Sequence, residues 1–148
     1  MITDKITVYG HKQEAEVICD LLSKCLPFSE SDTDGAYVYL SGASFNPQNC
    51  DDKKPVIIPF DVKNEFSHIE GVVTYSDVDS SADVCAINPQ KRKDSMCFEI
   101  LCGVFMSRVF IPQKSEYTLR QVLVCASVLY ALGVPMKKVV SLLNESLK

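Results

Sequence analysis

Gly10-His11-Lys12 closes a short β-type run, Lys5–Gly10 (KITVYG), and opens a helical pattern. A glycine between strand and helix leaves backbone N–H groups free and turns the positive end of a helix dipole outward, which suits an anion. His11 and Lys12 stand at that same end. Gly10, His11 and Lys12 are therefore candidate phosphate or nucleotide contacts. The competing reading is a tight strand-to-helix turn carrying two solvated side chains.

Other reactive residue types have weaker arrangements. Cys97 or Cys102 with His68 would supply a nucleophile and a base, but no local signature accompanies them. The seven cysteines (Cys19, Cys25, Cys50, Cys85, Cys97, Cys102 and Cys125) form no C-x-x-C pair, and most lie in apolar runs such as VICDLL and VLVCASVLY. They read as reduced thiols acting as small hydrophobes, and no metal site is expected. Asp51-Asp52 and Asp77, Asp79 and Asp83 offer carboxylates for Mg²⁺, although loop acids are ordinarily just solvated. Lys91-Arg92-Lys93 reads as a solvated turn. Tyr37 and Tyr39 alternate with apolar residues on one strand face, which predicts packing under a helix.

The whole chain limits what these residues can serve. Its 148 residues fit one domain, 1–148. Hydrophobic residues make up 47% and charged residues 23%, the usage of a globular protein. Fifteen Lys and Arg against 19 Asp and Glu give a net charge of −4. No general attraction to nucleic acid or anionic membrane follows. No signal peptide is visible, and no uninterrupted apolar stretch reaches the roughly 18 residues of a membrane span. A cytoplasmic, reducing location is expected.

The elements that must position the candidates follow from periodicity. After Lys5–Gly10, a helix is predicted over about Lys12–Cys25, where Ala15, Ile18, Leu22 and Cys25 share one face; Pro27 stops it. Ser29–Gly35 and Gly42–Lys54 read as loops. Ala36–Ser41, Pro55–Phe60 and Gly71–Tyr75 read as strands, the second apolar enough for a parallel position buried on both faces. Asp61–Glu70 has room for one or two helical turns. Ala82–Asn88, Met96–Cys102 and Val104–Ile111 are further β runs, separated by a charged turn (Pro89–Asp94) and by Gly103, and short enough in their connections to pair antiparallel. Thr118–Leu132 is a helix apolar on almost every side, ended by Gly133. Pro135 suits the first turn of a closing helix with Val139, Val140, Leu143 and Leu147 on one face.

The closing segment, Ser115 to Pro135 (SEYTLRQVLVCASVLYALGVP), resembles the end of the central domain of the ATP-dependent Mur ligases. There a G-x-H-N-x-x-N-A pattern precedes an Ala-rich helix and an L-G-[VI]-P turn. Leu132-Gly133-Val134-Pro135 matches that turn. Ser115 stands at the glycine, Tyr117 at the histidine, Thr118 at the first asparagine and Gln121 at the second. Val72–Tyr75, then Ala82–Asn88 (ADVCAIN), then a hairpin, follow the order of the same domain. The opening is similar to its strand and G-T-N-G-K-T loop: Gly10 matches the first glycine, Gln13 replaces the second, Glu14 replaces the lysine and Ala15 the hydroxyl residue.

The resemblance implies an α/β fold with a mainly parallel sheet flanked by helices and an antiparallel β extension. It also implies a site at Gly10, His11, Lys12, Tyr117, Thr118 and Gln121. Chemistry that uses ATP needs glycines for backbone approach, a lysine on the β/γ oxygens and a hydroxyl on Mg²⁺. Glu14 puts a negative charge where phosphate charge develops. Lys12 points about 200° round the helix from Glu14 and does not substitute for the lysine. Family members hold the UDP-sugar and the incoming amino acid with two further domains, for which this chain has no residues. The expectation is thus a non-catalytic binding or assembly module without a cofactor, working with a protein partner or as a homo-oligomer, and linked through the resemblance to bacterial cell-wall metabolism. The alternative is a nucleotide-binding or ATP-dependent ligase-type protein that uses ATP and Mg²⁺ and completes its active site with a partner chain. The partner surface is expected on Thr118–Leu132 and the closing helix.

Overall fold

A computed structural model of the chain describes residues 6–26, 35–43 and 54–148. Pro27, most of the two predicted loops, Cys50 and Asp51-Asp52 lie outside them. The strands are β1 (Ile6–Tyr9), β2 (Ala36–Tyr39), β3 (Val56–Pro59), β4 (Val72–Ser76), β5 (Val84–Lys91), β6 (Ser95–Cys102) and β7 (Phe105–Pro112). The α-helices are α1 (Lys12–Cys25), α2 (Leu119–Ala131) and α3 (Met136–Ser146), and Phe60–Phe66 forms a 3-10 helix. The strands make one seven-stranded sheet in sequence order. β1 to β5 run parallel, and β6 and β7 continue antiparallel. The predicted α/β class, with its mainly parallel sheet and antiparallel extension, is the observed one.

The sheet packs α1, α2 and α3 against one face. Val38, Ile57, Tyr75, Val84, Ala86, Phe98, Ile100, Val109 and Ile111 supply the strand side of that core. On the other face, the 3-10 helix lays Phe66 over Tyr39, Val56 and Ile58. β3 is therefore buried on both sides, which explains its unbroken apolar run. The Tyr37 and Tyr39 rings share this second face, Tyr39 stacked on Tyr9 at 4.6 Å and tilted against Phe66 at 5.2 Å. Tyr39 packs under the 3-10 helix as predicted, while Tyr37 lies 6.5 Å from the Tyr9 ring with Lys54 over its own.

α2 is the central helix, with residues from Gln121 to Leu129 all buried. That overturns the expectation that it offers a partner surface: α1, α3 and the sheet enclose it. A Schellman motif ends α2, as Val134 N–H donates to Leu129 C=O and Gly133 N–H to Tyr130 C=O. Gly133 carries the positive φ of +94° that this motif requires. Pro135 stands at the N-cap of α3 rather than in its first turn.

The longest departure from the predicted boundaries is β5, which runs through Pro89 to Lys91. A bulge between Ile87 and Gln90 makes this possible. Asn88 takes a positive φ of 52°, and Pro89 needs no ladder N–H there. The charged turn shrinks to Arg92-Lys93-Asp94. Gly103–Val104 closes the β6–β7 hairpin, as expected.

Candidate functional site

The C-terminal ends of parallel strands and the N-termini of the following helices converge on a crevice, the usual ligand position in open α/β sheets. Two adjoining hollows of about 380 Å³ and 280 Å³ lie there and share Ser41, Tyr75, Asp77 and Arg120 in their walls. Each wall follows from local structure. Tyr75, one residue before the end of β4, faces inward, and its hydroxyl donates to Tyr39 C=O at 2.8 Å. Burial pushes the phenol well above its usual pKa. Arg120 is the sole charged side chain of α2 and reaches both carboxylate oxygens of Asp77 at 3.2 and 3.3 Å.

On the β1 side the crevice is closed by the chain itself. Gly10 has φ +154°, and α1 begins two residues later. Leu40 N–H donates to Tyr9 C=O at 2.9 Å, which carries the Leu40 side chain across the turn. A Cβ added to Gly10 would lie 2.8 Å from the Leu40 Cβ. The glycine is needed here for close approach of a leucine. His11 is the N-cap of α1 without a side-chain capping bond, and both His11 and Lys12 are exposed.

Thr118 and Gln121 form a reciprocal capping box at the start of α2. Thr118 Oγ1 accepts from Gln121 N–H at 3.2 Å, and Gln121 Oε1 accepts from Thr118 N–H at 2.9 Å. The other end of the same amide, Nε2, donates to Glu14 Oε2 at 2.8 Å. The first turns of α1 and α2 are thereby joined, with Glu14 at a helix N-terminus where a carboxylate is stabilised.

Tyr117 points elsewhere. Its hydroxyl donates to the Asp20 carboxylate and accepts from Lys24 Nζ at 2.9 Å, half-way along α1. The six predicted positions thus separate into an exposed turn (Gly10, His11, Lys12), a helix cap (Thr118, Gln121) and a surface triad (Tyr117 with Asp20 and Lys24). Glu14, read from the sequence only as a substitute for a lysine, proves to be the partner of Gln121.

The remaining candidates are dispersed. Asp83 accepts from Thr74, Asp79 accepts from Ser81 N–H, and Asp77 is held by Arg120. Cys97 and Cys102 lie on opposite faces of β6, and His68 is exposed beyond the 3-10 helix. Burial raises the thiol pKa of Cys25, Cys85 and Cys125, which disfavours thiolate chemistry. Among the described residues, no group of three or more His, Cys, Asp or Glu is placed to hold a metal. Every buried side-chain N or O among them has a hydrogen-bond partner. The sequence reading missed Arg120, although a lone charge in an apolar helix, two residues past a cap, is a usable signal.

No family model matches the sequence, and no curated protein sequence matches it. Solved structures do. A UDP-N-acetylmuramoylalanyl-D-glutamyl-2,6-diaminopimelate–D-alanyl-D-alanyl ligase from Acinetobacter baumannii superposes with a TM-score of 0.71 at 11% identity, over 95% of this chain and 46% of that one. A UDP-N-acetylmuramoyl-L-alanyl-D-glutamate–2,6-diaminopimelate ligase gives 0.54 at 10% identity over 75% of this chain and 27% of the other. A murein peptide ligase from Psychrobacter arcticus gives 0.50 at 15% over 74% and 26%. The chain spans less than half the length of these ligases. At such identities the likeness is one of fold: a Mur ligase central-domain-like α/β sheet. Among the described residues, no helix is long and apolar enough to cross a membrane.

Proposed function

With that fold as premise, we propose that this chain is a non-catalytic relative of the Mur ligase central domain, a cytoplasmic binding or assembly module serving cell-wall metabolism without ATP or Mg²⁺. The observation that carries the reading is Leu40 against Gly10. A phosphate-binding loop needs space above its glycines for backbone N–H groups to reach the anion. Here a leucine side chain stands within contact distance of that backbone. Glu14 at the lysine position adds a negative charge, already engaged by Gln121. Ala15 has no hydroxyl for Mg²⁺. The residues present do not fit the nucleotide.

Titration calorimetry with ATP and Mg²⁺ tests this, and no binding heat is expected. Micromolar, Mg²⁺-dependent binding that disappears in His11→Ala or Lys12→Ala would overturn it.

A further inference from the structure

Among the described residues, helices cover one face of the antiparallel extension and none packs on the other, whose apolar side chains run from buried (Cys85, Cys97) to exposed (Met106, Phe110). Val84, Ala86, Phe98, Ile100, Val109 and Ile111 point into the helical core. Strand register then puts Ile87, Leu101, Met106 and Phe110 on the opposite side. Met106 and Phe110 are 55% and 41% exposed, and Val78 on the adjoining loop is 91% exposed. The fold leaves Met106, Phe110 and Val78 in water, with Ile87 and Leu101 half-buried beside them, while it encloses α2.

Charge is divided along the same face. One end carries Asp79, whose C=O accepts from the Cys85 thiol at 3.6 Å, and Asp83, whose carboxylate accepts from Thr74. The other end carries the turn Lys91-Arg92-Lys93, with Asp94 as its one acid. Arg92 lies 5.7 Å over the Phe110 ring, on the open face. In the middle, Glu99 and Arg108 neutralise each other at 3.8 Å.

We propose that the open face of β5–β6–β7 binds a second copy of this chain. The proposal rests on the assembly-module reading and names the partner. A two-fold axis in the interface plane, perpendicular to the strands, lays acidic end over basic end twice. It also places Met106 of one copy opposite Phe110 of the other, a favourable sulfur–aromatic contact. A face of one charge would instead repel its own copy. Strand addition at the β7 edge is not the route. Asn144 Oδ1 accepts from Phe110 N–H there, and Asn144 Nδ2 donates to Arg108 C=O. The three strands have eight residues each, so the face measures about 26 by 14 Å. That is below the ~800 Å² per partner of a standard interface, so the dimer dissociates reversibly.

Sedimentation equilibrium of the full chain from about 10 to 200 µM should show a monomer–dimer equilibrium that weakens with salt. Met106→Arg should weaken it by about tenfold or more, with urea unfolding unchanged to show that the variant is folded. Lys93→Glu and Asp79→Lys should each dissociate, and an equimolar mixture of the two should reassociate. A monomer at every concentration overturns the proposal. So does a dimer indifferent to Met106→Arg, or a mixture that stays monomeric. None of these results touches the ATP titration, whose failure would remove the underlying reading separately.

Discussion

All four residues of β3 are buried, while inward- and outward-facing residues alternate in burial along β7. The two strands lie in one sheet, yet they solve different problems. β3 has α2 on one side and the 3-10 helix on the other. Among the described residues, β7 has helices on one side only. The parallel half therefore concentrates packing on both faces, and the crevice at its C-terminal strand ends is narrowed by Leu40. The extension contributes half a core and keeps a face in reserve. Under the proposed dimer, the parallel half serves packing alone, while the extension serves packing on one face and contact on the other.

The strongest way to break that comparison is through Phe66, the aromatic that caps the second face of the parallel half. Phe66→Ala should cost about 3–5 kcal/mol in urea unfolding. A loss under about 1 kcal/mol would mean that the 3-10 helix does not cover this face.

Next comes the closed turn at Gly10. Gly10→Ala should destabilise by about 1–3 kcal/mol, since its Cβ meets Leu40 in a well-packed site. On a Leu40→Ala background the same change should cost clearly less. A double-mutant cycle measures the coupling directly. Additive costs would show that Leu40 does not fill the turn.

How much of this was legible in the sequence differs between the halves for a physical reason. A strand buried on both faces has no polar side to confuse its pattern, so β3 is legible within the run Pro55–Phe60. The charged turn and Gly103 place β6 and β7 to within a residue. β5 ran past its predicted end because Pro89 looked like a breaker, and only the bulge at Asn88 makes room for it. The candidate site was less readable. Thr118 and Gln121 matched a family pattern of polar residues, yet in space they are a helix cap, which is a local role any helix start can demand. Gln121 meeting Glu14 across 107 positions has no local signature at all. α2 was recognised as buried, but an all-apolar helix reads equally as an enclosed element or a sticky one. Only the layer order distinguishes them.

A smaller effect concerns pH. Cys125 is fully buried between α2 and α1, and burial holds its thiol well above 9.0. Tyr75 is likewise raised from 10.0 by burial. Both groups have a higher pKa folded than unfolded, so they stabilise the fold below their unfolded values. That contribution is lost as pH climbs past 9.0 and then 10.0 toward the folded values. With reductant present, urea midpoints should fall above pH 9, and Cys125→Ala should flatten the first part of the fall. An unchanged slope would show that Cys125 does not carry the first part of the fall and would leave it to the other buried groups, Cys25 among them.

The smallest effect is the one that defines the extension. Met106 and Val109 sit on the same strand three residues apart and face opposite ways, Val109 at 0% exposure. Val109→Ala removes packed methyl groups from the helical core and should cost about 2 kcal/mol. Met106→Ser strips an apolar side chain from a surface that nothing in the monomer fills, so its cost should stay within about 0.5 kcal/mol. The measurement belongs at low micromolar concentration, where the proposed dimer is dissociated. At high concentration the same substitution should also remove the dimer's contribution, because binding to the folded state alone stabilises it. A Met106→Ser cost that matches Val109→Ala at every concentration would mean that the outer face is already covered within one chain, and the contrast between the two halves would disappear.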